Sequence, residues 1–321
     1  FIALELISPR FPIGVETMYK PFFIKTSLAF FILLASCAPV NNIVKNKNDK
    51  IKTRAPSEIS HESSIDPENI KLEGEVKYLA MPKNERTNSR YSEDRVGYSL
   101  TEKGFRAIAI DGVGGSSHPR VLAREIGTEI LSKSAIKKQE EIAKIISRTM
   151  ERVGKSMSDD DVQFSNNPNL AFFQKQKLAQ GAACVLAYAE YDGKENMKIS
   201  QIGDTVAFVE RNDDTWDIIP ENFSKGGDFN SMPIQLNCLD PKSIDGLQET
   251  KIDNSTGRVL LATDGIAEYI LDNGGIISFL ELLKSCNNSE ETLLKRLNDG
   301  NIADDDLSFI LIESQNKRIH K

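Results

Sequence analysis

The sequence predicts an α+β domain built on antiparallel sheet, and two observations carry that expectation. Residues 181–219 hold four short apolar runs joined by tight polar turns. That pattern belongs to an antiparallel meander and not to a doubly wound parallel sheet. Helical spacing of apolar residues recurs over 119–132 and 135–153, and again over 266–271, 276–283 and 290–297. One stretch organises the rest. Ala107-Ile108-Ala109-Ile110-Asp111 reads as a buried strand that ends in an acid, and Gly112, Gly114 and Gly115 follow it closely. A carboxylate at the end of a rigid strand, beside backbone that no Cβ covers, suits a hard cation: Asp111 offers carboxylate oxygens and Gly112 its carbonyl. The stretch also resembles a dinucleotide-binding turn, but it lacks the third glycine of that fingerprint, and its acid would repel a pyrophosphate.

Composition narrows the chemistry. The 321 residues are enough for one large domain with appendages. A net charge of −7 leaves no basic footprint for nucleic acid. Four cysteines without a close pair form neither a disulfide framework nor a zinc knuckle. His61, His118 and His320 are too scattered for a histidine-based zinc site. An oxygen-ligand site for Mg²⁺ or Mn²⁺ is the natural metal hypothesis.

The N-terminus reads as an export segment. Residues 1–17 are expected to precede a true start at Met18. Lys20 and Lys25 then make a cationic region, 28–34 an apolar one, and Leu34-Ala35-Ser36-Cys37 a cleavage site. The apolar run is too short to span a bilayer comfortably. Leu-Ala-Ser-Cys resembles the lipobox of bacterial lipoproteins, which implies cleavage before Cys37 and a diacylglycerol on its thiol. The domain would then sit on the cell envelope, at the outer membrane where the cell has one. The alternative is a cytoplasmic protein whose apolar N-terminus is not a signal. Residues 37–70 are polar and without period, and read as a flexible tether. The folded domain is expected over 71–321.

Within it, 75–81 is the first expected strand. Glu93-Asp94 precedes a second at 95–98, and 105–110 delivers Asp111. The helices 119–132 and 135–153 follow, each with an apolar stripe that belongs to the core. Asp159-Asp160-Asp161 reads as a solvated acidic turn, and 169–178 as a further helix. The meander comes next, with Gly203-Asp204-Thr205 at its middle turn. Residues 221–250 lack any period and read as a long loop. Val259-Leu260-Leu261-Ala262-Thr263 is another buried strand and leads into Asp264-Gly265. The chain closes with Asp304-Asp305-Asp306 before a strand at 309–313.

Asp111, Asp264 and Asp305 thus stand at three strand boundaries, with Glu93-Asp94 and Asp204 at two others. Any one alone reads as a turn residue. Together they match a two-metal site, in which carboxylates hold two hard cations and a water between them becomes a nucleophile. The motifs Glu93-Asp94, Asp111-Gly112-Val113-Gly114-Gly115, Gly203-Asp204-Thr205, Thr263-Asp264-Gly265 and Asp305-Asp306-Leu307-Ser308 resemble, in order, those of the metal-dependent serine/threonine protein phosphatases of the PPM or type 2C class. The resemblance covers roughly 75–315. The stretch 229–236 is similar to the branch that includes organellar members.

The resemblance implies a four-layer α-β-β-α sandwich of two antiparallel sheets flanked by helix pairs. It implies two Mg²⁺ or Mn²⁺ ions per domain, with Asp111 bridging them and Gly112 ligating through its carbonyl. Asp264 and Asp305 complete the second ion's shell, Glu93 and Asp94 hold ions directly or through waters, and Asp204 with Asp264 holds a weaker third. Arg90 is the candidate for binding substrate phosphate, with Arg86 the alternative. The implied activity is hydrolysis of phosphoserine and phosphothreonine in proteins, by in-line attack of an activated water and without a cysteine nucleophile, in a monomer. Two departures stand out. Val113 replaces a histidine that some members use as an acid, and Gly181-Ala182-Ala183 replaces a hydroxyl-rich stretch. The alternatives are hydrolysis of another extracytoplasmic phosphomonoester, or a catalytically weak phosphatase fold used for binding.

Overall fold

A computed structural model describes residues 61–65, 69–71, 74–81, 92–101, 104–133, 139–158, 167–194, 196–225, 229, 233–287, 289–299 and 306–313. The expectations for residues 1–36, Cys37, Arg86, Arg90, Asp159-Asp160-Asp161 and Asp305 lie outside them. No helix among the described residues is long and apolar enough to cross a membrane.

The described residues form two antiparallel sheets with helices on their outer faces. The first sheet has the order β1 (His61–Ile65), β4 (Arg95–Leu100), β5 (Phe105–Gly112), β6 (Ala183–Tyr191), β7 (Asn196–Ile202), β11 (Gln248–Asp253). The short β10 (Leu236–Asn237) adds to β6 beyond the end of β7. The second sheet runs β2 (Asn69–Lys71), β3 (Val76–Met81), β13 (Leu307–Glu313), β12 (Ser255–Ala262), β8 (Val206–Arg211), β9 (Trp216–Ile219). Helices α1 (Pro119–Ser132) and α2 (Gln139–Ser158) cover the first sheet, while α4 (Asp264–Asp272), α5 (Gly275–Ser285) and α6 (Glu290–Asp299) cover the second. Between α2 and β6 comes α3 (Pro168–Gln180).

Period-2 alternation explains why the central strands read as unbroken apolar runs. On β5, Phe105, Ala107 and Ala109 enter the core between the sheets, while Ile108 and Ile110 enter the core under α1 and α2. On β12, Val259 and Leu261 face the first sheet, and Leu260 and Ala262 face the helices. Both faces are covered, so both parities must be apolar. Helix α1 has the predicted bounds because Pro119 fits a first turn that needs no N–H and because Leu122, Ile126 and Ile130 repeat on the buried face.

Several expectations need correction. The strand at 105–110 continues through Asp111 and Gly112, which pair with Val185 and Cys184. Helix α2 runs on to Ser158, past the expected end at 153. The meander is not one sheet: β6 and β7 lie in the first sheet, β8 and β9 in the second, and Gly203-Asp204-Thr205 carries the chain across. Residues 221–250 contain two 3-10 turns, Glu221–Lys225 and Pro241–Gly246, together with β10 and the start of β11. Strands β1 and β2 fall in or at the edge of the 37–70 stretch read as tether, paired to β4 and β3.

The second sheet carries an ion-pair network at the far end of β13. Glu313 accepts from Lys77 Nζ at 2.6 Å and pairs with Arg258 Nη2 at 2.6 Å. Arg258 also approaches Glu210 at 3.6 Å and lies over the Trp216 ring, 5.6 Å from its centroid. Partial burial alone would raise the Glu313 pKa, but Lys77 and Arg258 outweigh it and hold the carboxyl below its ordinary value. A depressed folded-state pKa gives stability above the ordinary carboxylate range that is lost as pH falls through the depressed value. Glu313→Gln is therefore expected to cost about 1 kcal/mol at pH 7, read as a lower urea midpoint. That difference should close in acid.

Candidate metal centre

Antiparallel pairing brings the acids to one end of the molecule. β4 starts where its neighbour β5 ends, and β13 starts where β12 ends. Counting by twos, Asp94 shares the parity of Val96 and Tyr98, Asp111 that of Ala107 and Ala109, and Asp306 that of Ile310 and Ile312, all on the face between the sheets. Asp264 opens α4 directly after β12. There its Oδ1 accepts from Gly265 N at 2.7 Å, and the helix N-terminus favours its negative charge.

A tight clamp joins the two sheets here. Asp306 Oδ2 accepts from Ser92 Oγ at 3.0 Å and from Glu93 N at 2.6 Å. The Ser92 hydroxyl accepts in turn from Asp94 N at 3.0 Å. Arg95, buried to 2% exposure, turns Nη1 to the carbonyls of Ser92 and Asp94. On the other sheet, Thr263 and Ser308 exchange hydrogen bonds: Thr263 N donates to Ser308 O at 3.0 Å and Ser308 N to Thr263 Oγ1 at 3.2 Å.

Asp94 is the centre of this cluster. It is 1% exposed, and neither carboxylate oxygen has a hydrogen-bond donor. Burial raises its pKa well above the ordinary value, and the carboxylates of Asp111, Asp306 and Asp264 raise it further. Asp94 and Asp306 are buried and Asp111 and Asp264 half-buried, and four carboxylates so gathered repel one another. Oxygen-only donors of this kind fit Mg²⁺ or Mn²⁺. Among the described residues no three acid, histidine or cysteine side chains meet as a preformed ion cage.

The glycine-rich turn packs against this cluster. A Cβ on Gly112 would stand 2.7 Å from the carbonyl oxygen of Glu93, and one on Gly114 would stand 2.9 Å from Glu93 Oε2. Glycine at both positions lets Glu93 lie directly on the turn. Gly181-Ala182-Ala183 braces its other side. Ser117 N donates to Gly181 O at 2.8 Å, Val113 N to Ala183 O at 3.1 Å, and Ala183 N to Ser116 Oγ at 3.1 Å. Ser116 thus supplies a hydroxyl that the Ala-Ala pair lacks.

Asp306 joins the cluster although the sequence reading did not single it out as a ligand; its neighbour Asp305, which that reading names, lies outside the described residues. Arg95 was also missed, although a lone cation directly after Glu93-Asp94 marks the start of β4. Asp204 is buried at the crossing between the sheets. His118 begins α1 with a left-handed backbone and an exposed side chain. Cys184 is fully buried, and burial, then Asp111 and Cys238, push its thiol far above the ordinary value. A protonated, enclosed thiol is no nucleophile.

The crossing turn depends on Gly203. Its φ is +87°, and a Cβ there would fall 2.2 Å from Val185 Cγ1. Gly203→Ala is expected to destabilise the fold by about 2–3 kcal/mol, adding left-handed strain to a core overlap. Thermal melting should show it as a clear drop in Tm.

A sequence profile for protein phosphatase 2C matches residues 83–300, more than half of the chain. The chain belongs to the protein phosphatase 2C family. No curated protein matches it. Among solved structures, this family member is similar to a bacterial serine phosphatase bearing a single substitution, at 14% identity and a TM-score of 0.50, covering 77% of this chain and 99% of the other. The Staphylococcus aureus serine/threonine phosphatase Stp1 matches at 14% identity and a TM-score of 0.49, over 75% and 95% of the two chains. The Mycobacterium smegmatis PPM Ser-Thr phosphatase MsPP, in complex with cacodylate, matches at 11% identity and a TM-score of 0.44, over 74% and 97%. At such identity the first of these likenesses shows the fold, and the two-sheet sandwich with flanking helices is the phosphatase 2C fold.

Proposed function

We propose that this protein phosphatase 2C domain is an active, metal-dependent hydrolase of phosphoserine and phosphothreonine in proteins. The observation that carries the proposal is Asp94, buried without a donor among Asp111, Asp264 and Asp306 at the joined ends of the two sheets. Family membership supports the reaction class. Asp111, Asp264 and Asp305 would hold two Mg²⁺ or Mn²⁺ ions, with the Gly112 carbonyl beside them. Glu93, Asp94 and Asp306 would hold these ions directly or orient their waters, and Asp204 would serve a weaker third ion. When bound, such cations neutralise phosphoryl oxygens and make a water nucleophilic at neutral pH.

The chain's own residues do the rest. Asp306 and Ser92 fix the 92–94 turn and strand pairing with Val185 fixes Asp111, so Asp94 and Asp111 are held at the end of the sheet core before substrate arrives. Gly112 and Gly114 leave room for Glu93 to pack directly on the turn. Arg90 would bind the substrate phosphate. Burial of Cys184 favours direct displacement by water over a covalent enzyme intermediate.

A second reading follows from Leu34-Ala35-Ser36-Cys37. A lipid anchor on Cys37 would present the domain outside the cytoplasm, where the substrate is a different exposed phosphomonoester. Cys37→Ala would then shift the protein out of the membrane fraction, and an unchanged distribution would contradict the anchor. Turnover of p-nitrophenyl phosphate by the full chain, with Mn²⁺ or with chelator, tests the hydrolase. Absence of metal-dependent turnover on it and on a panel of phosphopeptides would overturn the proposal. Preference for small phosphomonoesters over phosphopeptides would favour the second reading.

A further inference from the structure

Helix α3 is out of character with the rest of the domain. It has no buried side chain over its 13 residues, and a helix that short has little stability of its own. Its ends are nonetheless firmly set. Asn167 caps the start, accepting from Asn169 N at 3.0 Å. At the other end Asn237 Nδ2 donates to Gln180 O at 2.9 Å, and Gly181 is bonded to the turn after the metal-site glycines. The exposed surface of this anchored helix is aromatic and basic. Phe172 and Phe173 are 57% and 47% exposed, with ring centroids 5.9 Å apart in an edge-to-face pair. Lys175 and Lys177 are its only charged residues, on a chain whose net charge is −7.

Lys177 ties this surface to the candidate metal centre. Its Nζ donates to the Gly114 carbonyl at 3.4 Å, on the turn against which Glu93 lies. Phe173 is four residues earlier, so it shares a helix face with Lys177, about 6 Å further along the axis. Two residues of extended peptide cover about that distance.

We propose that α3 is the docking surface for the polypeptide flanking the phosphorylated residue, and that it selects substrates with an apolar side chain and carboxylates within a few positions of the phosphate. The inference rests on the phosphoprotein reading above. Phe172 and Phe173 take the apolar side chain, and Lys175 and Lys177 take the acids, which the rest of this acidic chain repels. A small ester does not reach α3 and gains nothing from it.

The test uses the full chain with Mn²⁺ and two substrates, p-nitrophenyl phosphate and a phosphothreonine peptide carrying Leu and Glu beside the phosphothreonine. The double variant Phe172→Ser/Phe173→Ser is expected to lower kcat/KM for the peptide about tenfold or more through KM, with p-nitrophenyl phosphate unchanged, and the variant Lys177→Glu to raise KM for the peptide more than for p-nitrophenyl phosphate. None of the three side chains is buried, so both variants should fold. Equal peptide kinetics in wild type and variants would overturn the proposal, as would equal losses on both substrates. A dimer of the wild type that the double variant loses, with peptide KM unchanged, would assign the face to a second copy and overturn it too. Fluorescence anisotropy of the same peptide, labelled and in chelator, reads docking without turnover. Equal binding by wild type and variants would overturn the proposal even if the domain hydrolyses nothing, whereas absent turnover alone counts against the phosphatase reading.

Discussion

Asp111→Asn is expected to lower kcat/KM for p-nitrophenyl phosphate by about a thousandfold, or about 4 kcal/mol of transition-state stabilisation. Asp111 lies on the last turn of pairing in β5, held by Val185 across the sheet, and its side chain acts on the buried carboxyl of Asp94. An amide has the same shape but half the oxygens and no charge. A cation that Asp111 would help to hold would lose affinity as well as position, so excess Mn²⁺ should restore only part of the rate. The fold should survive, because Asn removes like-charge repulsion and leaves the backbone pairing intact. Circular dichroism unchanged from wild type, with turnover lost, is the expected combination. Wild-type turnover in this variant would remove Asp111 from the chemistry.

Asp94→Asn is expected to raise the melting temperature in chelator while lowering Mn²⁺-dependent turnover about a hundredfold. The two effects have one cause. In chelator the Asp94 carboxyl is buried without a donor and faces three other carboxylates. Such a group must take up a proton or stand as an uncompensated charge, and either lowers stability. Its folded-state pKa is raised, so the chelated wild type loses stability as pH rises from about 4, near the unfolded value, towards the raised one. The advantage of the Asn variant should therefore grow with pH over that window. Mn²⁺ should stabilise the wild type far more than the variant. A lower melting temperature for the variant in chelator would show that Asp94 has a donor or cation partner of another kind.

Site and fold were legible in the sequence to different depths. Strand and helix periods located α1 to the residue, and the acid-glycine boundaries located Asp111 and Asp264. Antiparallel strands that start and end at the same place then bring those boundaries together, which is why scattered acids form one cluster. Asp306, which the pattern alone does not single out, shows the limit. Asp306 belongs to the face between the sheets because it shares the parity of Ile310 and Ile312. That face is defined only once two sheets are known to sandwich a core.

The single meander failed for a similar reason. Turn signals say that strands are short and antiparallel, but not that Gly203, with its positive φ, takes the chain into the other sheet. Strand β11 was invisible because it is an edge strand: only Ile252 of its six residues is buried, so no apolar period marks it. Nor does the sequence pattern of α3 announce a helix with no fully buried residue, held to the core by the half-buried Leu178.

The central claim is that the carboxylates at the joined sheet ends hold divalent cations. Loss of the free Mn²⁺ electron paramagnetic resonance signal on titration with the full chain measures this directly, with Asp111→Asn and Asp264→Asn alongside. The account predicts about two bound Mn²⁺ ions per chain for the wild type and weakened or lost binding in both variants. A folded wild-type protein that leaves the free signal untouched, or variants that bind as the wild type does, would contradict it.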